Sequence, residues 1–158
     1  MSDSVPVEYM QRTRAFYNAQ GFSKSYQWAS NDRIPFHVLS KPLGECSVTF
    51  VTTAVPDGSI PKLSRSAQSI PMSDIPEVFR TDELSWDKEA THTRDTGSFI
   101  PLQSLEELVK NKLIGHLAER FHFVPTEYSQ NNTLTKDAPQ IVTACHEDEV
   151  DIAILVPL

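Results

Sequence analysis

The sequence holds two cysteines, Cys46 and Cys145, too far apart for a CxxC metal pair and too few for the disulfide framework of a small secreted domain. No apolar run approaches the ~18 residues a membrane helix needs, so neither a membrane span nor a membrane partner is expected. Positive charge is also scarce. Fourteen Lys and Arg face 21 Asp and Glu, a net charge of −7, and no basic cluster stands out, which argues against nucleic acid as a partner. Glycine occurs five times and never as GxGxxG, so a dinucleotide is disfavoured. Met1-Ser2-Asp3-Ser4-Val5-Pro6 lacks the basic and apolar regions of a signal peptide, and the cytoplasm is the default location. No internal repeat or low-complexity tract appears.

What is present describes one soluble α/β domain. A chain of 158 residues, 39% of them apolar, buries roughly 70% of its unfolded surface without needing staples. The last stretch organises the rest: the turn at Asp148-Glu149 leads into Val150-Asp151-Ile152-Ala153-Ile154-Leu155-Val156-Pro157-Leu158. So continuous an apolar run reads as a central strand of a parallel sheet, buried on both faces.

From Val7 to about Gln20, Tyr9, Met10, Phe16 and Tyr17 give helical spacing, with Gly21 at the C-cap. Residues 22–42, with Tyr26, Trp28 and Phe36, read as an ordered arm, so that 1–42 is an N-terminal helix and arm and 43–158 the α/β domain. Cys46 to Ala54 is the first sheet strand, Val55 to Lys62 a loop, and Ser64 to Met72 holds a short strand ending at Ile70-Pro71. Asp74 to Arg80 reads as a turn and Glu83 to Trp86 as another short strand. Ser104 with Glu107 forms a capping box before the stripe Leu105, Leu108, Val109 and Leu113, and Ile114 to Leu117 returns to the sheet. Phe121 to Asn132 reads as a loop and Thr135 to His146 as a helix, with Pro139 tolerated in its first turn. The expected fold is therefore α/β, a mostly parallel sheet flanked by helices, incomplete at the C-terminus, with an N-terminal helical arm.

Ligands of open α/β sheets bind beyond the carboxyl ends of the strands. Thr52 and Thr53 end the first strand, and His92-Thr93-Arg94-Asp95-Thr96 is the densest group of side chains able to hold a carboxylate or move a proton. Thr52, Thr53, His92, Arg94 and Asp95 are accordingly the candidate substrate-binding residues, although a solvated loop with a local Arg–Asp pair and ordinary strand threonines account equally well for the pattern. His116, Glu119 and His122 have a spacing that occurs commonly by chance, and no metal or other cofactor is expected. Neither cysteine has a neighbouring base in sequence, so both read as small core residues.

Lys41-Pro42-Leu43, Val48 to Ala54, His92-Thr93-Arg94-Asp95, Phe99-Ile100-Pro101-Leu102, Ile114-Gly115-His116-Leu117-Ala118, Asp137-Ala138-Pro139 and Val150 to Pro157, in that order, resemble the glycine/sarcosine/betaine/D-proline reductase selenoprotein B family. Arg12-Thr13-Arg14-Ala15-Phe16-Tyr17 resembles the N-terminal arm of uncharacterised members. The resemblance implies selenol- or thiol-dependent reductive cleavage of a C–N bond, a small amino-acid-like substrate, and a partner reductase subunit or homo-oligomer. It implies a nucleophilic selenocysteine or cysteine directly after the last strand, so no catalytic residue is expected within the chain and one is expected just after Leu158. A UGA codon read as stop would account for that, as would a coding region that ends there and leaves a non-catalytic relative. The alternatives are an interaction or dimerisation module and a small anion-binding protein that uses Arg94.

Overall fold

The computed structural model describes residues 8–25, 27–35, 37–56, 66–80, 89, 92–126 and 129–157. The expected strand at Glu83 to Trp86 and the aromatics Tyr26 and Phe36 lie outside them, as does most of the loop after Pro56. The chain divides into two units, Met1–Phe36 and His37–Leu158.

The first unit carries helix α1 (Tyr9–Ala19), none of whose residues is buried. Gly21 follows with φ +87°, the left-handed conformation that ends helices and suits glycine. Phe16, Tyr17 and Phe22 meet edge to face in succession, and the Arg14 guanidinium lies 5.1 Å from the Trp28 ring centroid.

The second unit is built on β1 (Ser47–Thr52), every residue of which is buried. On one side β1 pairs in parallel with β7 (Ile152–Val156); along its other side β5 (His116–Leu117) and β6 (Arg120–Phe123) follow one another, both parallel to it. β3 (Gln68–Pro71) adds an antiparallel strand outside β6, where the short strand ending at Ile70-Pro71 is expected. β2 (Val55–Pro56) and β4 (Phe79–Arg80) form a separate antiparallel pair.

The closing strand corrects the reading from sequence. Among the described residues β7 pairs with β1 alone, and it lies at the sheet edge with Ala153, Ile154 and Leu155 exposed, Leu155 at 74%. The central strand is β1. An apolar run has the same periodicity whether one strand or two flank it, so the run alone does not place β7 at the centre.

Two further elements differ. The loop expected from Phe121 to Asn132 begins instead as the end of a strand, Arg120–Phe123; its alternation of polar Arg120 and His122 with Phe121 and Phe123 is the period of a strand with unlike faces. Helix α2 (Leu102–Lys110) begins before Ser104, with Pro101 at its N-cap and no side-chain cap, so the capping box does not form. Its stripe is partly as expected, with Leu105 buried and Val109 packed on the core, whereas Leu113 is exposed.

A short helix α3 (Gln130–Asn132), a π-turn (Thr133–Asp137) and helix α4 (Ala138–Glu147) form one helical run. Pro139 has no N–H and its ring crowds the carbonyl four residues back, and the wider π-turn relieves that crowding.

The path from β1 to β5 uses α2, and the path from β6 to β7 uses α4. Taken right-handed, these crossovers run in opposite directions and put the helices on opposite faces. Strand alternation agrees. Val48, Phe50 and Phe121 share a core with Leu105, Phe79, Phe99 and Ile100, while Thr49, Val51 and His122 face the other way. The centre of the first face is the stacked pair Phe50 and Phe121, both fully buried, with ring centroids 5.2 Å apart.

Candidate functional site

Three parallel strands end level. Thr52 stands opposite Phe123 of β6 and opposite Val156 of β7, so the carboxyl ends of β1, β6 and β7 form one edge. Thr52 is buried; its hydroxyl oxygen accepts from the Ala54 N–H at 3.1 Å and its carbonyl accepts from the Val124 N–H at 2.9 Å. Thr52 therefore shapes the turn that leaves β1, and Thr53, half-buried, stands at the rim.

The His92 to Thr96 loop is stitched to the same region. The Thr93 hydroxyl donates to the Phe79 carbonyl of β4 at 3.2 Å, and β4 pairs with β2, which follows Thr53 by two residues. Phe79 of β4 and Phe99, three residues after Thr96, meet edge to face. Within it the Arg94 N–H donates to His92 Nδ1 at 3.3 Å, and the Ser98 hydroxyl donates to the Asp95 carbonyl at 2.8 Å. His92, Arg94 and Asp95 are exposed. Thr52 is tied to Ala54 and Val124, and the loop is tied to Phe79 through Thr93 and to itself through Arg94 and His92.

A second polar group lies on the α4 face, and the sequence did not single it out. Arg120 opens β6 and grips the carboxyl end of α4. Its Nε and Nη2 donate to the two Asp148 oxygens at 2.8 and 2.7 Å, and Nη2 also reaches Glu147 Oε2 at 3.0 Å. A cation suits the negative end of a helix, and the forked contact sets the helix against the strand. That register brings the Cys145 sulfur to 3.4 Å from Nε2 of the fully buried His122, whose Nδ1 lies 2.9 Å from the Ser69 hydroxyl on β3.

Burial pushes the Cys145 thiol up, with Asp148 adding to it, and burial first and Arg120 second pull the His122 imidazole down. Both shifts favour the uncharged forms. The pair rests as thiol and imidazole, the opposite of the ion pair that an activated cysteine uses. Among the described residues no three His, Cys, Asp or Glu side chains gather as metal ligands, and His122 faces Ser69 and Cys145.

A pH dependence follows. His122 has a folded-state pKa below the ordinary ~6.5, so its contribution to stability is complete above that value and is lost as pH falls through the lower folded value. Asp148, held below the usual carboxylate range chiefly by Arg120, adds a further loss at more acid pH. The melting temperature is expected to decline from about pH 6.5 downward, and His122→Gln should remove the first part of that decline. A melting series across pH 4 to 8 on both proteins checks it.

Comparison with protein families, with curated proteins and with solved structures finds no match for this chain.

Proposed function

We propose that this chain supplies the sheet framework of a subunit of the glycine/sarcosine/betaine/D-proline reductase type, which holds a small amino-acid-like substrate against a selenol or thiol. The observation that carries the reading is the level ending of β1, β6 and β7 at Thr52, Phe123 and Val156. Beyond such an edge α/β sheets bind their ligands. The resemblance puts the nucleophile directly after the last strand, and a residue following β7 would emerge at the same edge as Thr53.

In this reading a selenolate or thiolate attacks the substrate carbon that bears nitrogen. The C–N bond breaks, the amine leaves with a proton, and a dithiol supplies the two electrons that release the reduced carbon. Selenolates and low-pKa thiolates suit the step because they are ionised and nucleophilic at neutral pH. Arg94 receives the substrate carboxylate, and Thr53, His92 and Asp95 border it. The apolar edge of β7, with Leu155 exposed, is the surface that a partner subunit or a second copy would cover. Thiol-dependent reduction belongs in a reducing compartment such as the cytoplasm.

Arg94 provides the test. Saturating glycine, sarcosine or D-proline should raise the melting temperature of the chain, and Arg94→Ala should abolish the rise while leaving the unliganded melting temperature unchanged. An equal rise in Arg94→Ala would remove Arg94 from the site, and no rise with any of the three in the parent chain would count against the reading.

A further inference from the structure

The side of the α4 run that faces the sheet is a stripe at Asp137, Ile141, Ala144, Cys145 and Asp148, the spacing of one helix face. Three contacts fix its direction. Asp148 meets Arg120 at the start of β6, Cys145 meets His122 two residues on, and Gln140 donates to the Ala67 carbonyl at 2.8 Å, just before Gln68, which pairs with Phe123. The run is thus antiparallel to β6, and Asp137, one turn before Gln140, lies at the edge where β1, β6 and β7 end.

Asp137 is the single buried residue among 130–140, at 4% exposure. Each other polar residue of the stripe has a partner on β6, yet Asp137 Oδ2 meets no donor. Among the described residues the other such buried atom is Ser47 Oγ, a neutral hydroxyl at the opposite end of β1, where orphanhood costs far less than for a carboxylate. A burial that opposes folding and lies at the ligand edge is what a binding residue looks like. One carboxylate is a poor nest for a metal ion, and no group of three metal-binding side chains forms among the described residues. An organic cation with N–H donors fits better.

We infer that Asp137 anchors the ammonium group of an amino-acid-like ligand at the carboxyl edge of the sheet. The inference rests on the reading of the preceding subsection and adds to it the residue that selects the charged nitrogen. The ammonium–carboxylate contact is a charge-assisted hydrogen bond, and a neutral amide in its place leaves the cation uncompensated.

The test is calorimetric titration of the 158-residue chain with D-proline and with tetrahydrofuran-2-carboxylate, which replaces the ring nitrogen by oxygen. Asp137→Asn should weaken D-proline by at least about 30-fold and leave the oxygen analogue unchanged. It should also leave the unliganded melting temperature no lower than the parent's, because Oδ2 has no hydrogen bond to lose, whereas a merely structural aspartate would lower it. Unchanged D-proline affinity in Asp137→Asn overturns the inference alone and leaves the reductase reading in place. No binding of D-proline, glycine or sarcosine to the parent chain overturns it together with the substrate-binding part of the reductase reading.

Discussion

Alanine at Gly115 is expected to destabilise the chain by about 3 kcal/mol or more, the upper range for forcing atoms into a packed site. A Cβ there would stand 2.6 Å from the Glu45 carbonyl carbon and 2.7 and 2.9 Å from Cys46 O and N. All three are backbone atoms, so no side chain can swing aside. The same contact starts the parallel pairing of β5 with β1, since Gly115 N–H donates to the Cys46 carbonyl at 3.0 Å. Gly115→Ala must therefore push β5 off the central strand. Gly97→Ala is the control, because its Cβ would meet nothing closer than an Asp95 side-chain oxygen at 3.6 Å. Urea titrations of the two variants should separate widely, with the Gly97→Ala midpoint near that of the parent.

Phe121→Ala should cost about 3–5 kcal/mol, the usual loss for emptying a buried aromatic site. Phe121 is fully buried and stacks on Phe50, so truncation removes both the transfer term and a ring contact at the middle of the core. The neighbouring strands are pinned by pairing, β1 parallel and β3 antiparallel to β6, and cannot collapse into the space. Leu113→Ala, at a position 55% exposed, should stay within about 0.5 kcal/mol. Equal losses at the two positions in a denaturant titration would contradict the packing described above.

The parts of the fold that were legible in the sequence are those where one local rule decided the matter. Cys46 to Ala54 reads as a strand because β-branched and aromatic residues fill it, and β1 occupies its centre. Gly21 reads as a helix end because little else adopts its φ. Phe121 to Asn132 reads as a loop from the sequence, yet β6 takes in Phe121 to Phe123; its polar side meets α4, where Arg120 pairs with Asp148 and His122 with Cys145, and on β3 His122 meets Ser69. That group joins residues 23 and 53 positions apart, which no local spacing reveals. The edge position of β7 was hidden for another reason, since neighbour number leaves no mark on an apolar run.

The candidate site divides in the same way. Thr53 and the His92 to Asp95 loop are singled out in the sequence by their chemistry and by the rule for α/β sheets, and the structure ties the loop through Thr93 to Phe79 of β4, whose partner β2 follows β1. Asp137 was readable only as part of a family-like segment. Its interest comes from burial and from the missing donor, both properties of the fold.

The central claim, that this chain is the framework of a selenol- or thiol-dependent reductase subunit, is tested most directly by reading the message immediately downstream of the Leu158 codon. The account predicts an in-frame UGA or cysteine codon, followed by a further cysteine and a strand–helix continuation. An ordinary stop codon with no such frame behind it would contradict the account.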